Sequence, residues 1–290
     1  MKLDVRHRTI YLYEQQVSVS QHVLHLQPRH AQQQRRLAFR LDVSPEPAVS
    51  SMSTDYFGNT VHYLTIQEPH ERLVIEAKSS VDVTPRAGTI DLLAGEPWEV
   101  VAARLHAAAP DTLDAQQYCF DSQYSVGGAA VFDYARPSFT AGRPILEALA
   151  DLTSRIFRDF KYQGGVSDVS TPVSDVLRMR RGVCQDFAHL QLACVRSHGL
   201  AARYVSGYLM TQPPPGQPKL IGADASHAWI SAWAGDLGWV DFDPTNDLIP
   251  DAEHVTVGWG RDYGDVSPIN GFITGGGNHQ ISVSVDVSQT

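Results

Sequence analysis

Three residues in this chain could together break an amide bond: Cys184, His227 and Asp243. A thiolate attacks a carbonyl carbon, an imidazole carries the proton, and a carboxylate orients the imidazole and stabilises its charged form. Cys184 follows Gly182-Val183, and Val183, Phe187, Leu190 and Cys194 recur at steps of four, three and four, the spacing of one buried helix face. Gly199 closes that pattern as a left-handed cap. Cys184 is therefore expected in the first turn, where unpaired N–H groups and the positive end of the helix dipole stabilise a thiolate. Taken singly, a cysteine is more often a small buried hydrophobe, so the residues downstream decide.

Ser226 to Trp233 and Trp239 to Thr245 read as two strands around the turn-rich Ala234-Gly235-Asp236-Leu237-Gly238, a β-hairpin. Symmetry about residue 235 sets Trp233 against Leu237, Ser231 against Trp239, Trp229 against Asp241 and His227 against Asp243. Opposed residues share a face at about 4.5–5.5 Å, and a one-residue slip would destroy the pairing. Pro244 ends the second strand and puts Asp243 at a rim. Asp241 shares its alternating face and competes for the same role. A metal site of Cys184, His189 and His227 is a further alternative, although structural zinc sites prefer a second close ligand pair. A satisfied half-buried histidine and a turn-forming aspartate are the ordinary readings of His227 and Asp243 one at a time. The three together are harder to dismiss.

The elements that must position these residues lie on both sides. Residues 1–86 alternate with period two, as in Leu37, Phe39, Leu41 and Val43, and Asp55-Tyr56-Phe57-Gly58-Asn59 supplies a turn. Short strands with turns between them predict an N-terminal antiparallel β-sandwich. His22 and His25 fall on opposite faces of such a strand and are expected to be solvated rather than ligands. Residues 87–144 form a partly helical connector, with an aromatic stretch (Tyr118, Phe120, Tyr124, Phe132, Tyr134) suited to packing between domains. From 145 to 290 the chain forms the catalytic core and a last strand. Ile145, Leu149, Leu152, Ile156 and Phe160 mark one helix, Val173 to Arg178 a short one, and Ala202 to Leu209 a buried strand. Thr211 to Pro218 holds four prolines and reads as a loop, with Pro213-Pro214-Pro215-Gly216 a candidate lid. Ile281, Val283, Val285 and Val287 alternate in a final strand that adds to a sheet edge, and Gly275-Gly276-Gly277 before it is expected as a flexible loop near the cleft.

The 290 residues are 43% hydrophobic and carry a formal net charge of −9, which argues against nucleic acid or an anionic membrane as partner. Three cysteines (Cys119, Cys184, Cys194) are too few for a disulfide framework and suit a reducing compartment. With no apolar run of signal or membrane-span length, a cytoplasmic location is expected.

Gly182-Val183-Cys184-Gln185-Asp186-Phe187-Ala188-His189-Leu190, Ala202 to Tyr208, Asp224-Ala225-Ser226-His227-Ala228-Trp229 and Trp239 to Asn246 resemble, in that order, the transglutaminase-like superfamily. The bacterial branch to which they are similar is commonly described as cysteine proteases, and Trp259 to Pro268 resembles it too. The resemblance implies an α+β fold: the β-domain, then a papain-like core in which the cysteine-bearing helix packs on an antiparallel sheet. It implies a triad of Cys184, His227 and Asp243, favouring Asp243 over Asp241. It also implies a second oxyanion donor upstream of the helix, for which Tyr162 is the candidate beside the backbone N–H of Cys184. The implied activity is acyl transfer on an amide or isopeptide bond through a thioester, without cofactor or metal. Peptide, protein or small-amide hydrolysis is favoured over amine crosslinking, since no tunnel excluding water is evident. A fold kept only for binding is the alternative of another class.

Overall fold

The structure, a computed structural model, describes residues 1–86, 88–211 and 226–290. The candidate lid at 213–216 and most of its loop lie outside the described residues. Five strands come first: β1 (Lys2–Leu24), β2 (Gln34–Ser44), β3 (Val49–Thr54), β4 (Thr60–Ile66) and β5 (His70–Val83). Alternation along β1 buries Leu3, Val5, His7 and Thr9 and leaves Lys2 and Arg6 exposed. This strand is the spine of the N-terminal domain. Residues 2–12 pair with β5; after a register break between Leu12 and Val17, residues 20–24 pair with β4. One sheet therefore folds over on itself. Leu64 and Ile66 from β4 meet Leu73, Ile75 and Ala77 from β5 in a common core, which gives the layered β-domain expected of this segment.

The connector holds α1 (Trp98–His106), α2 (Leu113–Gln116) and α3 (Ala129–Ala135). The second part opens with α4 (Ile145–Asp159), whose Ile145, Leu149, Leu152 and Ile156 are fully buried, as their spacing requires. Then come β6 (Lys161–Tyr162), α5 (Val173–Met179), β7 (Arg181–Gly182) and α6 (Cys184–Ser197). Strands β8 (Ala202–Leu209), β9 (Ser226–Trp233), β10 (Trp239–Phe242) and β11 (His254–Gly260) form an antiparallel sheet in the order β10-β9-β8-β11. The helix α6 packs on β9 and β8 and is buried from Asp186 to Arg196. It is a central helix clothed by α3, α4 and α5 rather than a surface helix with one apolar stripe.

After α7 (Tyr263–Val266), the chain returns to the N-terminal domain. Strands β12 (Ile269–Gly275) and β13 (His279–Gln289) pair antiparallel with β1, over 17–24 and 3–13. The final strand does add to a sheet edge, but the sheet is that of the β-domain. The triple glycine is the link between β12 and β13, hydrogen-bonded to Gln15 and Gln16; that is a different place from the cleft it was expected to border.

The two parts are locked together. Leu3, Val5, Val81, Val83, Val285 and Val287 of the β-domain share a core with Tyr208, Val255 and Val257 of the sheet β10-β9-β8-β11. The buried Gln34 side chain acts as a strand edge: its amide donates to Thr256 O at 2.8 Å and accepts from Thr256 N at 2.8 Å. Asn59, at the predicted 55–59 turn, does the same for Trp259, donating to its carbonyl at 2.8 Å and accepting from its N–H at 3.0 Å.

Candidate active site

Val183 is extended and Cys184 is the first residue of α6. The turn is fixed by Asp186, whose carboxylate accepts from Val183 N at 2.7 Å and from the Ser167 hydroxyl at 2.6 Å. Burial pushes the Asp186 carboxyl up against those two bonds. Gly182 is required by this packing, because a Cβ there would lie 2.5 Å from Asp186 Oδ2. The short parallel pair β6–β7 sets Tyr162 against Gly182, with Gln163 N donating to Gly182 O at 2.8 Å. The upstream residue singled out in the sequence thus sits beside the turn that carries the cysteine. Burial raises the Tyr162 phenol, and the neighbouring Cys184 and Asp186 add to that shift. Cys184 is a free, half-buried thiol.

His227 is the second residue of β9. Its Nε2 lies 2.7 Å from Asp243 Oδ2. With Nε2 engaged by the carboxylate, Nδ1 is the nitrogen left for the thiol, and Cys184 is close enough to this ring to favour its charged form. Burial opposes charge on the imidazole. The bond to Asp243 and the nearby Cys184 outweigh it and raise His227 to about 10. Asp243 is fully buried. Burial pushes its carboxyl up, but the donors around it win and hold it well below the ordinary carboxylate value. Those donors are Thr245 N at 2.9 Å and Asn246 N at 3.3 Å on Oδ1, and His227, Asn246 Nδ2 at 2.7 Å and His254 Nε2 at 3.2 Å on Oδ2.

The hairpin exists, but its register differs from the expected one. Trp239 pairs with Trp233 and Asp241 with Ser231, a centre one residue further along. Each partner is therefore displaced by two positions, which leaves every side chain on its expected face. His227 and Asp243 become diagonal rather than direct neighbours, still within reach of an imidazole. The competitor Asp241 is occupied elsewhere, since its Oδ2 accepts the Trp229 indole N–H at 2.9 Å. His189 does not join Cys184 and His227. It is buried beside Tyr124 and Tyr204, its Nε2 accepts from Tyr263 N at 3.2 Å, and burial lowers it to about 4. The cysteine-centred metal alternative is therefore not assembled.

Two contributors escaped the sequence reading. Asn246 stood in a quoted motif without a role, and His254 stood in Glu253-His254-Val255, an ordinary strand start. The ligand atoms of His227, Asp243 and His254 lie within 4.8 Å of one another, a spacing that a divalent ion would also accept. Here Oδ2 of Asp243 is shared by both rings, so an ion would have to displace those bonds. Among the described residues, no helix is long and apolar enough to cross a membrane.

Residues 3–82 match the family model for the bacterial transglutaminase-like N-terminal region, and residues 133–244 match that of the transglutaminase-like superfamily. Rv2569c of Mycobacterium tuberculosis (strain H37Rv) is 47% identical over 290 residues, spanning 98% of this chain and 91% of its own. ML0607 of Mycobacterium leprae is 30% identical over 292 residues, 99% of each chain. A 129-residue stretch, 38% of this chain and 19% of the relative, is 33% identical to a protein-glutamine gamma-glutamyltransferase of Pseudomonas aeruginosa. The solved structure of a Cytophaga hutchinsonii protein, provisionally described as a cysteine protease, superposes with a TM-score of 0.77 at 22% identity, covering 99% of this chain and 90% of that one. That likeness bears on the fold.

Proposed function

We propose, from the premise that this chain belongs to the transglutaminase-like superfamily, that it cleaves amide or isopeptide bonds by cysteine-dependent acyl transfer. The observation that carries the reading is an imidazole bonded to a buried aspartate, with the thiol at the first residue of a helix near enough to favour the charge on that ring. In the first step the Cys184 sulfur, its proton already held by His227, adds to the amide carbonyl carbon. The oxyanion is held by the Cys184 N–H, with Tyr162 as second donor. The tetrahedral adduct collapses as His227 gives its proton to the leaving nitrogen, and an amine departs from a thioester. In the second step His227 takes a proton from water, hydroxide adds to the thioester, and a carboxylic acid and the thiol are released. Asp243 stays ionised throughout and keeps the ring oriented. No cofactor takes part in these steps.

Transamidation is the second reading, favoured by the stretch shared with the gamma-glutamyltransferase. There an amine replaces water in the second step. A glutamine peptide incubated with excess primary amine separates the two: ammonia release without amine incorporation is expected, and stoichiometric incorporation would overturn hydrolysis. Loss of both products in Cys184→Ala is required by either reading. Full activity in that variant would overturn cysteine catalysis, and a wild-type protein that forms neither product would leave a binding role for the fold. The three free thiols suit a reducing interior, so we place the reaction in the cytoplasm.

A further inference from the structure

We propose that His254 is a positioning residue of the catalytic unit, the donor that fixes the Asp243 carboxylate so that it faces His227. The inference rests on reading Cys184, His227 and Asp243 as the catalytic groups. Three observations carry it. His254 is buried, and its Nε2 lies 3.2 Å from Asp243 Oδ2, the same oxygen that receives His227. Its other nitrogen, Nδ1, is buried with no hydrogen-bond partner among the described residues. An imidazole without a partner on one side gains nothing from that burial, so the bond to Asp243 is what its polar edge is there to make. Its ring is also clamped: Trp229 stands edge-on to it with centroids 5.1 Å apart, and the His227 ring lies at 5.9 Å.

The direction of the bond follows from the chemistry of the partners. An ionised carboxylate only accepts, so Nε2 of His254 must carry the hydrogen. The hydrogen on Nε2 is thus the one that the ring commits to Asp243. Donors from both imidazoles on one oxygen, with Asn246 as a third, fill the acceptor sites of Oδ2. Rotation of the carboxylate about its Cβ–Cγ bond would break all three. Without His254, the oxygen that supports the His227 imidazolium has one lateral restraint fewer and one less donor favouring its charge. A bond of this kind to an ionised group corresponds to about tenfold in the population it supports.

The readout is alkylation of Cys184 by chloroacetamide at about pH 6, where an unassisted thiol is almost wholly protonated. His254→Leu removes the donor and keeps an apolar side chain against Trp229; His254→Gln keeps an N–H near the position of Nε2. The expected result is a rate about tenfold lower in His254→Leu, with most of it restored in His254→Gln. A folded His254→Leu protein that reacts as fast as wild type overturns the inference. If His254→Leu does not fold, nitrogen-15 spectra of the wild-type protein decide. An Nε2-protonated His254 supports the assignment, and a bare Nε2 overturns it. His227→Ala separates this from failure of the catalytic reading itself. If wild-type Cys184 reacts no faster than Cys184 in His227→Ala, the triad falls. If it reacts faster and His254→Leu matches wild type, only the role of His254 falls.

Discussion

Replacing Asp243 with Asn should change how stability depends on pH, and the change can be sized from the site. In the native protein His227 is raised from 6.5 to about 10, with Asp243 among the bonds that overcome its burial. A group whose folded value is raised contributes its full stability below the unfolded value and loses it as pH rises through the folded one. The His227 contribution is therefore complete below 6.5 and gone above about 10. Asp243 is shifted the opposite way, below 3.8. Its contribution is complete above 3.8 and lost as pH falls through its depressed value. Both are present in full between 3.8 and 6.5. At about 1.4 kcal/mol for each pH unit between the two His227 values, the alkaline loss is about 5 kcal/mol. For a chain of this size that corresponds to a Tm change on the order of 10 °C. In Asp243→Asn, burial of the ring remains while the opposing carboxylate is gone and only Cys184 still favours the charge, so less stability is left to lose on that limb. Calorimetry of both proteins from pH 6 to pH 10 should show the Tm gap widest at the acid end and shrinking towards the alkaline end. A gap that stays constant or grows with pH would refute the argument that Asp243 carries the His227 charge.

A thiol-directed chloromethyl ketone should label Cys184 alone, read by peptide mass mapping, because Cys194 is fully buried with its thiol pushed far up, and burial raises Cys119 to about 11. Gly207→Ala should cost at least about 3 kcal/mol in urea denaturation, since its Cβ would stand 2.1 Å from Val255 O and 2.5 Å from the Trp229 ring. Asn59→Ala leaves the Trp259 N–H and carbonyl without their side-chain partner; a loss of about 2–3 kcal/mol by the same assay is expected, together with faster proteolysis of the β-domain.

Local periodicity was enough for the long helix α4. The spacing of Ile145, Leu149, Leu152 and Ile156 requires a one-sided helix, and α4 buries those side chains. It was not enough for the sheets. The alternation of Ile281, Val283, Val285 and Val287 marks a strand but carries no address. Its partner, Leu3 to Tyr13, lies at the opposite end of the chain and is chosen by the shared core of Val5, Val285 and Val257. Nor does the sequence announce that Gln34 and Asn59 serve as artificial strand edges for β11, because such bonds depend on the two domains already being docked.

The site was legible for a more instructive reason. The hairpin register inferred from a symmetrical turn was displaced, yet His227 and Asp243 still meet. Side chains in a strand alternate with period two, so a displacement of two preserves the face that His227 and Asp243 share, whereas a displacement of one would have turned Asp243 away. Parity, rather than exact opposition, carries the pairing. The same logic explains what was missed. His254 is not in the hairpin; it comes from β11, which is separated from β9 by β8 in the sheet, and it reaches Asp243 because the chain turns at Asp243 and makes an isolated bridge to Leu248. A residue two strands away contributes no local spacing to read. What the sequence could have offered was a count: a fully buried carboxylate needs donors for both oxygens, and one imidazole does not supply them. Asking where the others come from points first to the backbone after Pro244, then to Asn246, and then to the next histidine in the chain.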